Sequence, residues 1–132
     1  MIIRTVKTDT INAIKPWGEE HILSSRIKDF MVKVLTLKKW ECGSLHLHKF
    51  KKELIYVVSG KLALISTGKN NKHILTEGMF IELKNNELHQ LCAQEDTVLF
   101  ECSTPDFNNR DVLRIADYNS RGHGRIEEEH KK

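Results

Sequence analysis

Apolar, β-branched and aromatic residues in this chain come in short runs, each cut off by turn-forming residues. The runs at 20–24, 30–37, 44–49, 54–58, 61–66, 73–76, 79–83, 88–93 and 97–103 read as strands. Ser59-Gly60, Gly68-Lys69-Asn70-Asn71 and Lys84-Asn85-Asn86 punctuate them. The residues that fill the runs suit a pleated, half-buried surface. Many short strands at regular spacing imply an all-β chain, folded as a sandwich or barrel. Helical periodicity is weak throughout, with 109–118 the one candidate segment.

The chain has 132 residues, enough for one domain with its own core and too few for two ordinary ones. We divide it into an N-terminal arm with the first strands (1–29), a barrel (30–104), a C-terminal extension (105–120) and a polar tail (121–132). The tail, with Gly122, Gly124 and a charge cluster, is expected to be disordered. Its His123 and His130 are given no metal role. No run approaches the roughly 20 apolar residues that cross a bilayer, and 1–7 has no apolar core of a secretory signal. A net charge of +3 is spread over lysine pairs interleaved with acids, without the basic, aromatic-studded surface that nucleic acid requires. Cys42, Cys92 and Cys102 are odd in number and lack metal-type spacing. They are expected as free thiols in a cytoplasmic protein.

The chemistry concentrates in His46-Leu47-His48, Glu53 and His89. Alternate residues of a strand share a face, so His46 and His48 project together, about 7 Å apart at the backbone. That span lets two imidazoles converge on one ion. Glu53 opens the next strand on the face of Ile55 and Val57, and His89 is expected from across the barrel. Three imidazoles and a carboxylate suit one divalent transition metal; Zn, Mn, Fe, Co and Ni are all compatible. Gly60 and Gly78 sit where turns call for positive φ. His73, between these positions, reads as an exposed strand histidine.

The spacing His-x-His-x4-Glu-x6-Gly, then Gly-x10-His, resembles the two-part signature of the cupin superfamily, and the likeness runs over 30–103. It implies a jelly-roll barrel with a metal held inside by His46, His48, Glu53 and His89. Three positions depart from the family pattern. Lys84-Asn85-Asn86 replaces a Pro-x-Gly turn, and Asn86 can supply the left-handed conformation. Ala93 stands for an Asn, and Trp40 for a Gly six residues before the first histidine. Within cupins, Lys15-Pro16-Trp17-Gly18, 30–37 and 54–60 resemble the C-terminal domain of type II mannose-6-phosphate isomerases. The ends Glu101–Pro105 and Arg114–Tyr118 resemble stand-alone cupins of surface-glycan pathways.

That resemblance implies a sugar-phosphate isomerase or epimerase, with the metal stabilising an enediolate oxyanion. Glu53 is the candidate base, with Glu82 and Glu101 as alternatives. Lys49, Lys51, Lys52, Arg110 and Arg114 are available to a phosphate. A non-catalytic barrel binding a small ligand or partner, and a metal-dependent dioxygenase, are the other readings. If the histidines face inward, Leu45, Leu47, Leu54, Tyr56 and Val58 face outward, which predicts a homodimer covering that sheet, with 2–6 as a possible exchanged strand.

Overall fold

A computed structural model of the chain describes residues 1, 3–5, 11–23, 30–66, 71–104 and 112–116. Among these there are eleven strands and no helix. They are β1 (Ile11–Lys15), β2 (Gly18–Ile22), β3 (Met31–Leu37), β4 (Leu45–His48), β5 (Glu53–Ser59), β6 (Lys61–Ser66), β7 (Lys72–Thr76), β8 (Phe80–Leu83), β9 (His89–Ala93), β10 (Thr97–Ser103) and β11 (Val112–Ala116). One sheet runs β1-β2-β3-β10-β5-β8 and the other β11-β4-β9-β6-β7. All pairings are antiparallel. From β3 onward the chain mostly changes sheet at each turn, which makes a jelly roll.

Alternation along each strand builds the interior. In β5, Glu53, Ile55 and Val57 point in while Tyr56 and Val58 are exposed; in β10, Leu99 and Glu101 point in while Phe100 is exposed. Ile55, Val57, Leu62 and Leu99 are almost fully buried, each stabilising the fold by about 1.5–3 kcal/mol. Together with Leu35, Leu37, Leu64 and Leu75 they fill one end of the barrel. The other end of the first sheet carries Glu20, Lys33, Glu53, Glu101 and Ser103 inward. The molecule therefore has an apolar half that holds it together and a polar half available for chemistry.

Backbone conformation follows the turn residues. Gly60 and Gly78 have φ of 96° and 86°, and Asn86 takes φ 66°, as expected from the sequence. At Gly60 a Cβ would meet the Asp96 carbonyl oxygen at 2.5 Å, so only glycine fits. The Pro16-Trp17 turn joins β1 to β2, and Trp17 packs on the core. Trp40 adopts the left-handed backbone at φ 69°. It is 72% exposed, its N–H donates to the Ala93 carbonyl at 2.8 Å, and the Lys39 ammonium lies 5.1 Å from its ring.

Several expectations are corrected. Within the segment at 109–118, Val112–Ala116 form strand β11, paired with β4, rather than a helix; edge pairing overrides the weak local periodicity. Residues 11–15, within the arm that holds the first strands, form β1, a strand outside the runs picked out from the sequence. Leu45 and Leu47 do not share an outer face with Leu54, Tyr56 and Val58, because β4 and β5 belong to opposite sheets. The outer face of the first sheet instead carries Phe100, Tyr56 and Phe80 in direct register across three strands. Cys42 and Cys92 are joined by a disulfide, and only Cys102 is free. They sit opposite each other, flanked by Gly43 N–H to Leu91 O and Ala93 N–H to Glu41 O, both 2.9 Å. That is the closer antiparallel spacing, with Cα atoms 4.1 Å apart. The expected tail, the 2–6 strand exchange and Arg110 fall largely or wholly outside the described residues.

Candidate metal centre

His46 lies on β4 directly opposite His89 on β9. His89 therefore arrives from the neighbouring strand of the same sheet, not from across the barrel; Glu53, on β5, is the residue that crosses from the opposite sheet. The approach of β4 is set by a bulge. Between the pairs Cys42–Cys92 and His46–His89, β4 spends three residues (Gly43, Ser44, Leu45) and β9 two (Gln90, Leu91). The buried Gln90 side chain donates to the Gly43 carbonyl at 2.9 Å, which satisfies a group the irregular ladder leaves without a backbone partner.

The three histidines come together with ring centroids 4.6 to 5.8 Å apart, and one nitrogen of each lies within 4.8 Å of the others. His46 Nδ1 is 3.0 Å from the Ser44 carbonyl and 2.9 Å from its hydroxyl. His89 Nδ1 is 3.0 Å from the Glu87 carbonyl. A carbonyl only accepts, so the proton sits on Nδ1 in both rings and the Nε2 lone pairs are left for an ion. His48 Nε2 lies 2.6 Å from Glu53 Oε1, a buried oxygen that accepts no well-formed hydrogen bond. The three imidazoles converge on common ground and fit a divalent transition metal, while Glu53 stands beside them against His48, outside that cluster. Burial, then the neighbouring histidines, holds His46 well below its ordinary pKa; burial likewise lowers His89. Both rings are thus neutral, the state that ligates.

Facing the histidines is a buried charge network that sequence reasoning largely missed. Glu101 hydrogen-bonds Glu53. Burial, then the Glu53 charge, pushes Glu101 up to about 8. Burial opposes ionisation of Glu53 too, but the Glu101 hydrogen bond, Lys51 and His48 hold it well below the usual carboxylate range. Glu101 is therefore the protonated partner and donates. Lys51 and Lys33 lie 3.8 and 3.9 Å from Glu101 Oε2, and Lys33 is 3.0 Å from Glu20 Oε1. Burial disfavours the Lys33 charge, yet Glu20 and Glu101 outweigh it and keep the ammonium above the usual lysine range. The Ser103 hydroxyl, opposite Glu53 on β10, is buried without a hydrogen-bond partner.

Of the other candidates, Glu82, Lys49, Lys52 and His73 are exposed. Arg114 falls on β11, where only the backbone is described. Lys33 and Glu20 had one available signal, an ionisable residue at an inward position of an apolar strand. It becomes readable only once strand phase and register are known.

The sequence matches no family model and no curated protein. Solved structures share the fold. KdgF from Halomonas sp. is 21% identical with a TM-score of 0.65, over 76% of this chain and 88% of its own. A variant of Streptomyces Pac13 with uridine is 13% identical with a TM-score of 0.75, over 89% and 92%; Pac13 is described as a nucleoside dehydratase. An RmlC-like cupin from Shewanella frigidimarina is 18% identical with a TM-score of 0.67, over 79% and 90%. At such identities the likeness establishes the cupin barrel as a fold.

Proposed function

We propose that this cupin barrel is a metal-dependent enzyme acting on a sugar or sugar phosphate, moving a proton at carbon next to a carbonyl as an isomerase or epimerase does. The observation that carries this reading is the protonated Glu101, hydrogen-bonded to Glu53 opposite three converging imidazoles. His46, His48, His89 and Glu53 would hold the ion. When bound, a divalent metal supplies a Lewis acid for a developing oxyanion. Glu101 holds a transferable proton near neutral pH, the poise a general acid or base needs. Lys33 and Lys51 place positive charge beside it, suited to an enediolate or phosphate. The Ser103 hydroxyl is available to a substrate hydroxyl. Glu53, the candidate base from sequence, would be taken up by the ion and accepts from Glu101, so we assign the proton transfer to Glu101. The fold shared with Pac13, a nucleoside dehydratase, supports a sugar-bearing substrate.

The test is metal content by elemental mass spectrometry, wild type beside His48→Ala, followed by turnover of mannose 6-phosphate and fructose 6-phosphate. One ion per chain, lost in the variant, is expected. Absence of metal from both proteins after reloading would leave a non-catalytic binding barrel.

We further propose a homodimer through the outer face of the first sheet. Phe80, Tyr56 and Phe100 are 57%, 38% and 36% exposed there, next to Val58 at 43%, a contiguous apolar patch of the kind that marks protein contacts. Light scattering at micromolar concentration should give twice the chain mass; a monomer would sink the idea.

A further inference from the structure

Strands β7 and β8 are consecutive, joined through Glu77-Gly78-Met79, but they pair in different sheets and form the free edge of each. They meet at the turn and diverge away from it. Between them opens a cavity of about 890 Å³. Leu64 and Leu75 from the second sheet face Ile81 and Leu83 from the first, with Met79 and Ile74 also lining it. Ser66, Lys72, His73, Glu82, Asn86 and Glu87 are also part of the lining, which is as polar as it is apolar.

The cavity adjoins the candidate metal centre on both sheets. Ser66 is the register partner of His89, Leu83 is the register partner of Glu53, and Asn86 N–H donates to the His48 carbonyl at 2.6 Å. A group seated between the walls therefore sits one strand away from the ligands. The size falls within the range of about 300–1,000 Å³ typical of small-molecule sites. Aliphatic side chains facing each other within a half-polar lining favour a flat ring with polar edges, while the polar half of the barrel, with Lys33, Glu101 and Ser103, suits a polyol. A sugar alone would leave the aliphatic side chains of the slot without a matching group.

We infer that the substrate is a sugar carrying a planar ring substituent, the sugar at the histidine centre and the ring in the lateral slot between β7 and β8. This rests on the sugar reading above. The shared chemistry is a ring-bearing glycoside, whether the ring is a nucleobase or an aryl aglycone.

Calorimetric titration of the metal-loaded protein tests it with four probes: uridine against D-ribose, and 4-nitrophenyl β-D-glucopyranoside against methyl β-D-glucopyranoside. At least one ring-bearing probe should bind on the order of tenfold tighter than its ringless counterpart, and which one does identifies the ring. Met79→Trp and Ile74→Trp fill the slot from positions that are 43% and 39% exposed, where a larger side chain is tolerated. Each should abolish the gain while leaving metal content unchanged. Equal binding of ring-bearing and ringless probes, or a gain that survives both variants, overturns the slot assignment and leaves the sugar reading in place. A metal-loaded protein that binds none of the four overturns both.

Discussion

Replacing Glu101 by glutamine should make the protein more stable and less active at the same time. In the fold the Glu101 carboxyl titrates at about 8 against an ordinary value of 4.5. Its contribution is fully favourable below pH 4.5 and is lost as pH rises towards 8, because the unfolded chain releases this proton first. At 1.36 kcal/mol per unit, the handicap is close to nothing at pH 4. It grows to about 3 kcal/mol at pH 7, and levels off near 5 kcal/mol above pH 8. Glutamine carries no such handicap. It still offers an N–H to Glu53 and, like the protonated acid, is neutral beside Lys33 and Lys51. Urea denaturation of chelator-treated Glu101→Gln and wild type from pH 4 to 9 should show curves that coincide at pH 4. They should separate to about 3 kcal/mol in favour of the variant at pH 7, or roughly 10 °C in Tm. Turnover should fall by roughly 10²–10⁴-fold, since the amide cannot exchange the proton. A variant less stable than wild type at pH 7, or a difference independent of pH, would refute the protonated Glu101 on which the catalytic reading depends.

Trp40→Gly should raise stability by about 1 kcal/mol, because glycine adopts φ 69° without the Cβ penalty; a loss in urea denaturation would mean that Trp40 contributes more through its packing over Lys39 than its backbone costs. The double substitution Cys42→Ser with Cys92→Ser opens a link across a sequence separation of 50. It should cost about 2–4 kcal/mol, measured by thermal unfolding against the oxidised wild type, and an unchanged Tm would count against the bond as a stabiliser.

Local features were legible in the sequence because short-range rules encode them. The alternation of His46 and His48, the turns at Gly60 and Gly78, and the left-handed Asn86 each follow from a few neighbouring residues. What escaped depends on partners distant in the chain. β11 becomes a strand by pairing with β4, 68 residues earlier by the Arg114–His46 register. Cys42 meets Cys92 only through the β4–β9 register. Glu101 is an ordinary strand carboxylate until β10 is placed between β3 and β5, which surrounds it with Lys33 and Glu53. The three imidazoles could be anticipated as a set, whereas the sheet from which His89 arrives could not.

The bulge leading into β4 has a consequence for how easily such a site is kept. Cys92 and His89 are three steps apart on β9 and so face opposite ways, the cysteines outward and the histidines inward. Cys42 and His46 are four steps apart, which simple alternation would place on one face; the bulge absorbs the extra step and keeps His46 opposite His89. Deleting one residue from 43–45 would leave three steps on both strands, straighten the ladder and still turn both imidazoles into the lumen. The ligand set is thus insensitive to the loss of one codon between the disulfide and the first histidine, because the phase of β4 is held by its partner strand and not by the count of residues that lead into it.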